Sequence, residues 1–403
     1  MRRHRFWGVL LVLALLAAAC GDDDSDTSAA DADDAADADD VADEPADEPA
    51  DDPEPADEPA DEPEPEPEPE EEDEPVVFDD VSLLVVNNMA HLPVFVAQSF
   101  GLWTDRGINA DVQTLGSGAD IAAGLQSGQA EFGAVNGGTG VAPQRASGLL
   151  TKLVAAYNND ATNAKYVDWI GIVGRVDRGI TADAQSVVGK NVGVSGGGTP
   201  RAYLREWLAL NDLTEDDINI VVMGAPDMRT SIVNGDVDVV VPWSPFRTAA
   251  LDDLGDNGIE VSAGESLVLS AIGLGAVDGQ LDEQRDVFKR MIEGVVEATW
   301  LIRQDPAAIA PTVLSFIDGV SEESVISAIG RNTYDPRVSI CTRYGAELTA
   351  QQLVDSGSIE GEFTADDLLD TRVLDEVLAE HPEWIEDLPP LPATVEECDG
   401  FEG

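Results

Sequence analysis

The chain is predicted to be an α/β protein of two α/β lobes joined by a two-connection hinge. Three observations predict it. The first is a strand-like run at residues 110–115, a Gly116-Ser117-Gly118 turn, a helix lined by Ala119, Ile121, Ala122, Ala123 and Leu125 and stopped at Gly128, and a second strand at 130–135. Strands alternating with short helices through Gly-rich turns mark a largely parallel sheet. The second is that this order recurs: GLQSGQAEFGAVN near residue 124 is echoed by SIVNGDVDVVVPW near residue 231, a structural echo without the identity of a sequence repeat. The third is size. Roughly 325 residues follow an acidic N-terminal segment, too many for one ordinary core and enough for two.

In chain order, residues 81–86 form an apolar strand suited to a sheet buried on both faces. Pro93 then opens a helix, where a first turn needs no N–H donor, and Gly101 ends it. A strand at 149–156 leads to Tyr157-Asn158-Asn159, and a Gly-punctuated strand at 168–175 leaves the first lobe. The second lobe restarts the pattern with a strand at 191–194, a helix at 201–210 with Leu204, Trp207 and Leu208 inward, a strand at 218–223, a helix at 228–234 stopped by Gly235, and a strand at 237–241. Residues 267–274 read as a strand returning to the first lobe, and 283–303, 306–316 and 322–332 as helices; the tail from 336 is acidic and without clear period. Lobe 1 is thus expected at 77–170 and 270–403, and lobe 2 at 171–269. Two crossings between rigid halves permit closure around a ligand.

The N-terminus places this body outside the cytoplasm. Arg2, Arg3 and Arg5 precede an apolar run from Phe6 to Leu16, too short to span a bilayer comfortably and typical of a secretory signal. The run closes on Ala17-Ala18-Ala19-Cys20, which resembles a bacterial lipoprotein signal (residues 1–20) with Cys20 as the lipidated residue, although Ala17 stands where Leu is usual. Residues 21–76 are a disordered acidic stalk rich in Pro and Ala, with 29 Asp and Glu and no Lys or Arg up to Pro75. Stretched as polyproline II it would reach roughly 170 Å at ~3.1 Å per residue. The stalk supplies half of the net charge of −58. A body that remains strongly acidic is a poor partner for nucleic acid or an anionic membrane surface.

Beyond Cys20 there are two cysteines, Cys341 and Cys398, an even pair in an oxidising space: a disulfide or two separate buried thiols. His91 and His381 have no partner at metal-ligand spacing, so neither a metal nor a cofactor is expected.

PVFVAQSFGLWTDRGINADV, GADIAAGLQSGQAEFGAV, SIVNGDVDVVVPWSPF and the long late helix together resemble the SsuA/THI5-like (NMT1) solute-binding proteins of ABC importers for nitrate, sulfonates, taurine and pyrimidine precursors. The resemblance covers roughly residues 81–316. It implies a type II periplasmic-binding-protein fold, a small polar or anionic solute in the interlobe cleft, delivery to an ABC permease with its ATPase, a lipid anchor on the outer face of the cytoplasmic membrane, and a monomer. In that family the ligand meets loops after strands. The matching positions are Asn87, Asn88, Met89 and His91; Ser117, Gly118 and Asp120; Gly137, Gly138 and Thr139; and, from the second lobe, Gly197, Gly198, Thr199, Arg201 and Trp243. Backbone N–H groups at helix starts favour negative charge and Gly lets a solute approach; Trp243 would add a flat wall. Each has a plainer reading: tight turns for the glycines, helix capping for Asp120, an ion pair with Glu206 or Asp212 for Arg201, core for Trp243.

An enzyme is the competing class, and a sensor or interaction module with the same cleft is another. The chain has no GxSxG, HExxH, P-loop or GxGxxG after a strand, and it lacks the cysteine-rich stretch and paired histidines of the fungal pyrimidine synthases of this fold. It is therefore read as a binding protein.

Overall fold

The computed structural model describes residues 78–401, apart from 168, 265–266 and 317–320; the signal segment, Cys20 and the stalk lie outside the described residues. Ten strands form two five-stranded sheets. The strands are β1 (Asp79–Val86), β2 (Ile108–Leu115), β3 (Phe132–Asn136), β4 (Thr151–Asn158), β5 (Gly171–Arg175), β6 (Asn191–Val194), β7 (Asn219–Val222), β8 (Val239–Val240), β9 (Gly258–Ala263) and β10 (Ile272–Val277). The first sheet runs β2-β1-β3-β10-β4 and the second β7-β6-β8-β5-β9. In the first, β1 pairs parallel with β2 and β3, while β10 lies antiparallel to β3 and β4. In the second, β6 pairs parallel with β7 and β8, while β5 lies antiparallel to β8 and β9.

The two sheets are thus built on one plan. Each has four strands running one way and one antiparallel strand, β10 or β5, that has just crossed from the other sheet. The crossings are residues 159–170 and 264–271, and they are the two connections of the predicted hinge. The returning strand starts five residues later than expected: residues 267–271 belong to the crossing, where Ser270 N donates to Tyr166 O (2.8 Å) and Leu269 N to Thr349 Oγ1 (3.0 Å). The apolar run at 267–274 marks burial, and a buried crossing satisfies that as well as a strand does. Within β10, Gly273 is required by close approach, since a Cβ there would sit 1.8 Å from Ala155 O.

The helices are α1 (Leu92–Ser99), α2 (Gly118–Ser127), α3 (Val141–Ala146), α4 (Gly198–Leu210), α5 (Ala225–Asn234), α6 (Phe246–Leu254), α7 (Gln280–Glu283), α8 (Arg285–Gln304), α9 (Pro306–Leu314), α10 (Glu322–Ile329), α11 (Ile340–Asp355), α12 (Ala365–Leu368) and α13 (Arg372–Glu380). The 20-residue α8 packs its apolar face on α1, α13, β2 and β4. Trp103 is buried against it, donating Nε1–H to Met291 O (3.0 Å) beside Gly294, where a Cβ would lie 2.4 Å from the indole. The tail without clear period folds as α11–α13 and short turns on the first sheet. Cys341 and Cys398 are joined as a disulfide. Both lie in the tail, which the disulfide closes on itself, and backbone hydrogen bonds tie the tail to the first crossing, Ala164 N donating to Asp399 O (2.8 Å) and Asp399 N to Thr162 O (3.0 Å). Among the described residues no helix is long and apolar enough to cross a membrane.

Candidate functional site

Three asparagines end strands on one edge of the first sheet. Register puts them level: Leu84 pairs with Gly133, so Asn87 and Asn136 lie equally far along β1 and β3, and Ile272 pairs with both Asn136 and Asn158. On the second sheet the matching edge carries Thr199 at the start of α4, after β6, and Trp243 and Ser244 after β8. Trp169 joins them because β5 runs antiparallel: Ile170 bridges Trp243, and Ser244 N donates to Trp169 O (2.9 Å). Carboxyl ends of parallel strands are where α/β sheets bind ligands.

These edges face each other and are latched. Asn136 Nδ2 donates to Thr199 Oγ1 (2.9 Å) and to Ser270 Oγ (3.1 Å), while its Oδ1 accepts from Gly138 N (2.9 Å) and Thr139 N (3.1 Å). Thr139 Oγ1 lies 2.8 Å from Thr199 Oγ1. A second contact joins Gln352 Nε2 on α11 to Glu206 Oε2 on α4 (3.1 Å). The amides of residues 137–139, expected to meet a solute, have internal partners: Gly137 N donates to Ala271 O (2.7 Å), and the other two to Asn136. One asparagine amide thereby satisfies two helix-end donors and closes the gap between lobes.

Around this latch, buried polar atoms lack partners. Among the described residues they include the side-chain carbonyl oxygens of Asn87, Asn158, Asn159 and Gln352, the indole N–H groups of Trp169 and Trp243, and the hydroxyl of Ser244. Asn158 is 0 % exposed, Ser244 1 % and Trp169 4 %. An unmet buried polar group costs about 1–3 kcal/mol, so such a group calls for a partner that arrives from outside. All but Gln352, which lies on α11, are at the ends of strands, on elements far apart in sequence, and they make these edges the candidate site.

The family model described as NMT1/THI5 like matches residues 88–309. The chain belongs to the NMT1/THI5-like family. Solved structures share its two-lobed type II periplasmic-binding-protein fold. The alkanesulfonate-binding protein SsuA from Xanthomonas axonopodis pv. citri, bound to MOPS, is similar at 16% identity and a TM-score of 0.62, over 72% of this chain and 97% of that one. The nitrate-binding protein NrtA from Synechocystis PCC 6803 is similar at 14% identity and a TM-score of 0.60, over 79% and 92%. The desulfurization enzyme DSZB is similar at 17% identity and a TM-score of 0.53, over 75% and 99%, so the fold also hosts catalysis. No curated protein matches the chain in sequence.

Within this NMT1/THI5-like body the other expected site residues have local partners. Asn88 Oδ1 accepts from Ala90 N (2.9 Å) and His91 N (3.3 Å), capping the turn before α1. Met89 is buried and its carbonyl accepts from Tyr334 O–H (3.0 Å). His91 is buried, with Nδ1 2.7 Å from Tyr157 Oη; burial lowers its pKa to about 3 and pushes that of Tyr157 well up, so both are neutral. Ser117 is half-buried and caps α2 by accepting from Asp120 N (3.3 Å), while its O–H donates to the exposed Asp120 Oδ2 (2.8 Å) beside Gly118. Gly197 and Gly198 are exposed at the start of α4, Gly198 with φ of 72°. Arg201 pairs with Glu215, Nη2 to Oε2 2.9 Å, in place of Glu206 or Asp212. The partner lies beyond the loop that follows α4, out of reach of any spacing along the helix.

Asn136, Asn158, Trp169, Ser244 and Gln352 are candidates that the sequence analysis did not select. Asn136 and Asn158 carried a signal, since each ends a strand as Asn87 does. Gln352 carried none, lying in the tail. His381 is also less isolated than its sequence neighbours suggest: a ring nitrogen lies within 4.8 Å of carboxylate oxygens of Glu293 and Glu380. Each has a partner already, Glu293 with Arg106 (3.2 Å), Glu380 with Lys289 (2.6 Å) and His381 with Glu383 (3.1 Å).

Proposed function

We propose that the protein is the extracytoplasmic solute-binding component of an ABC importer, holding a small polar solute between its lobes and delivering it to a permease with its ATPase. The observation that carries this reading is the set of unpartnered polar atoms on both facing sheet edges, joined by only two crossings. Opening the hinge parts the Asn136–Thr199 latch, and a solute that meets those atoms favours reclosure. The signal at the N-terminus and the acidic stalk fit lipid anchoring through Cys20 on the outer face of the cytoplasmic membrane.

Binding without turnover is supported by the side chains at hand. The two cysteines among the described residues are joined to each other, leaving no thiolate, and His91 is neutral and held by Tyr157. The test is thermal-shift screening of the full chain against sulfonates, nitrate, bicarbonate, pyrimidines, flavins and amines. A ligand of the closed form raises the melting temperature by linkage. Mass spectrometry of the recovered solute should show it unchanged; a product peak would replace this reading with an enzymatic one.

A further inference from the structure

We propose that the solute held at these edges is uncharged and carries hydrogen-bond donors of its own, so that an oxyanion is not the physiological ligand; this rests on the solute-binding reading above. Three side-chain amides are held in one orientation. Asn87 Nδ2 donates to the backbone carbonyl of Phe316. Asn332 Nδ2 donates to Ala328 O (2.7 Å), which turns its Oδ1 to accept from Asn158 Nδ2 (3.1 Å). Gln352 Nε2 donates to the Glu206 carboxylate. In each case the partner can only accept, so the amide cannot flip, and the atom left over is a carbonyl oxygen.

Three fixed acceptors on the first-lobe side therefore ask the solute for N–H or O–H groups. Sulfonate and nitrate have none to give. The second-lobe side offers the reverse: two indole N–H donors that cannot accept, and one hydroxyl that can do either. The complement is a molecule with donors on one face and acceptors on the other.

Charge agrees. Cations of the second lobe are engaged, Arg201 and Arg205 with Glu215, and Arg247 with Glu260 (3.3 Å) and Ile170 O (2.8 Å). The body around them stays strongly acidic after the stalk's half of the −58 is set aside, a field that repels anions. The start of α4 favours negative charge only weakly on its own, and its Thr199 hydroxyl already faces Asn136 and Thr139.

The test uses isosteric pairs on the full chain: acetamide and acetate, methanesulfonamide and methanesulfonate, nicotinamide and nicotinate, with nitrate alongside. Melting temperature and tryptophan emission should respond to uncharged members and not to their anions. Trp243→Phe keeps the wall and removes one N–H, and should weaken the responding amide about tenfold. Response to an anion but not its amide overturns this proposal while leaving solute binding intact. Silence from every compound here, together with silence from the broader screen, overturns both.

Discussion

The two sheets share a strand plan but not an edge chemistry. In each, a strand that has just crossed over lies antiparallel in the fourth position, β10 between β3 and β4, and β5 between β8 and β9. Yet the edge of the first sheet ends in Asn87, Asn136 and Asn158, while the second ends in Trp169, Trp243 and Ser244. The first is further tied down by a disulfide-closed tail bonded across its crossing. Topology therefore decides where a site lies, and the side chains at strand ends decide what it can hold. The first edge leaves carbonyl acceptors without partners, and the second leaves indole donors and a hydroxyl.

The contrast can be broken from its strongest support downwards. Replacing both Cys341 and Cys398 with Ser opens a loop of sequence separation 57, and chain entropy puts the loss at about 4 kcal/mol, read as a lower urea midpoint. If the first lobe owes nothing to the disulfide, the midpoint will not move.

The next effect is one of pH. His91 in the first lobe has its pKa lowered to about 3 from 6.5 by burial. The unfolded chain takes up this proton below pH 6.5 while the folded chain does not, so stability falls as pH drops from 6.5 towards 3 and levels beneath. Between pH 7 and 5 the loss should be about 2 kcal/mol. His91→Gln should flatten that part of a urea-stability profile, and an unaltered profile would assign the acid sensitivity elsewhere.

Thr199→Val removes the hydroxyl that joins the lobes and leaves Asn136 and Thr139 facing a methyl group. About 1–3 kcal/mol should shift from the closed towards the open arrangement, seen as a larger radius of gyration by solution scattering with little change in unfolding. The smallest effect is expected for Arg201→Ala, which cuts the pair with Glu215 away from the cleft. Stability should drop by less than about 1 kcal/mol, and the melting-temperature response to the best solute should stay the same. A lost response would return Arg201 to the site.

Much of the frame is legible from sequence because its causes are local. Gly128 and Gly235 stop α2 and α5 with φ of 72° and 82°, a conformation that only Gly adopts freely. β6 is found at the residues read for it, Asn191–Val194, the other strands read from the sequence shift by a few, and β9 at Gly258–Ala263 was not read at all. The site is legible only in part. Thr139, Thr199 and Trp243 stand where strand-end logic puts them, but the neighbouring amides are satisfied by Asn136, a choice visible only once α3 folds back over the end of β3.

The amino-acid order by itself determined the alternation of strands and helices and the turns between them, because each depends on neighbours within a few positions. Tertiary structure alone decided that Asn136 latches to Thr199 across 63 residues, that Asn158 is oriented by Asn332 across 174, and that the tail, closed by its own disulfide, is bonded to the first crossing. Those pairings depend on which strand lies beside which. Hydrophobic periodicity is blind to that choice, since either neighbour buries the same apolar face.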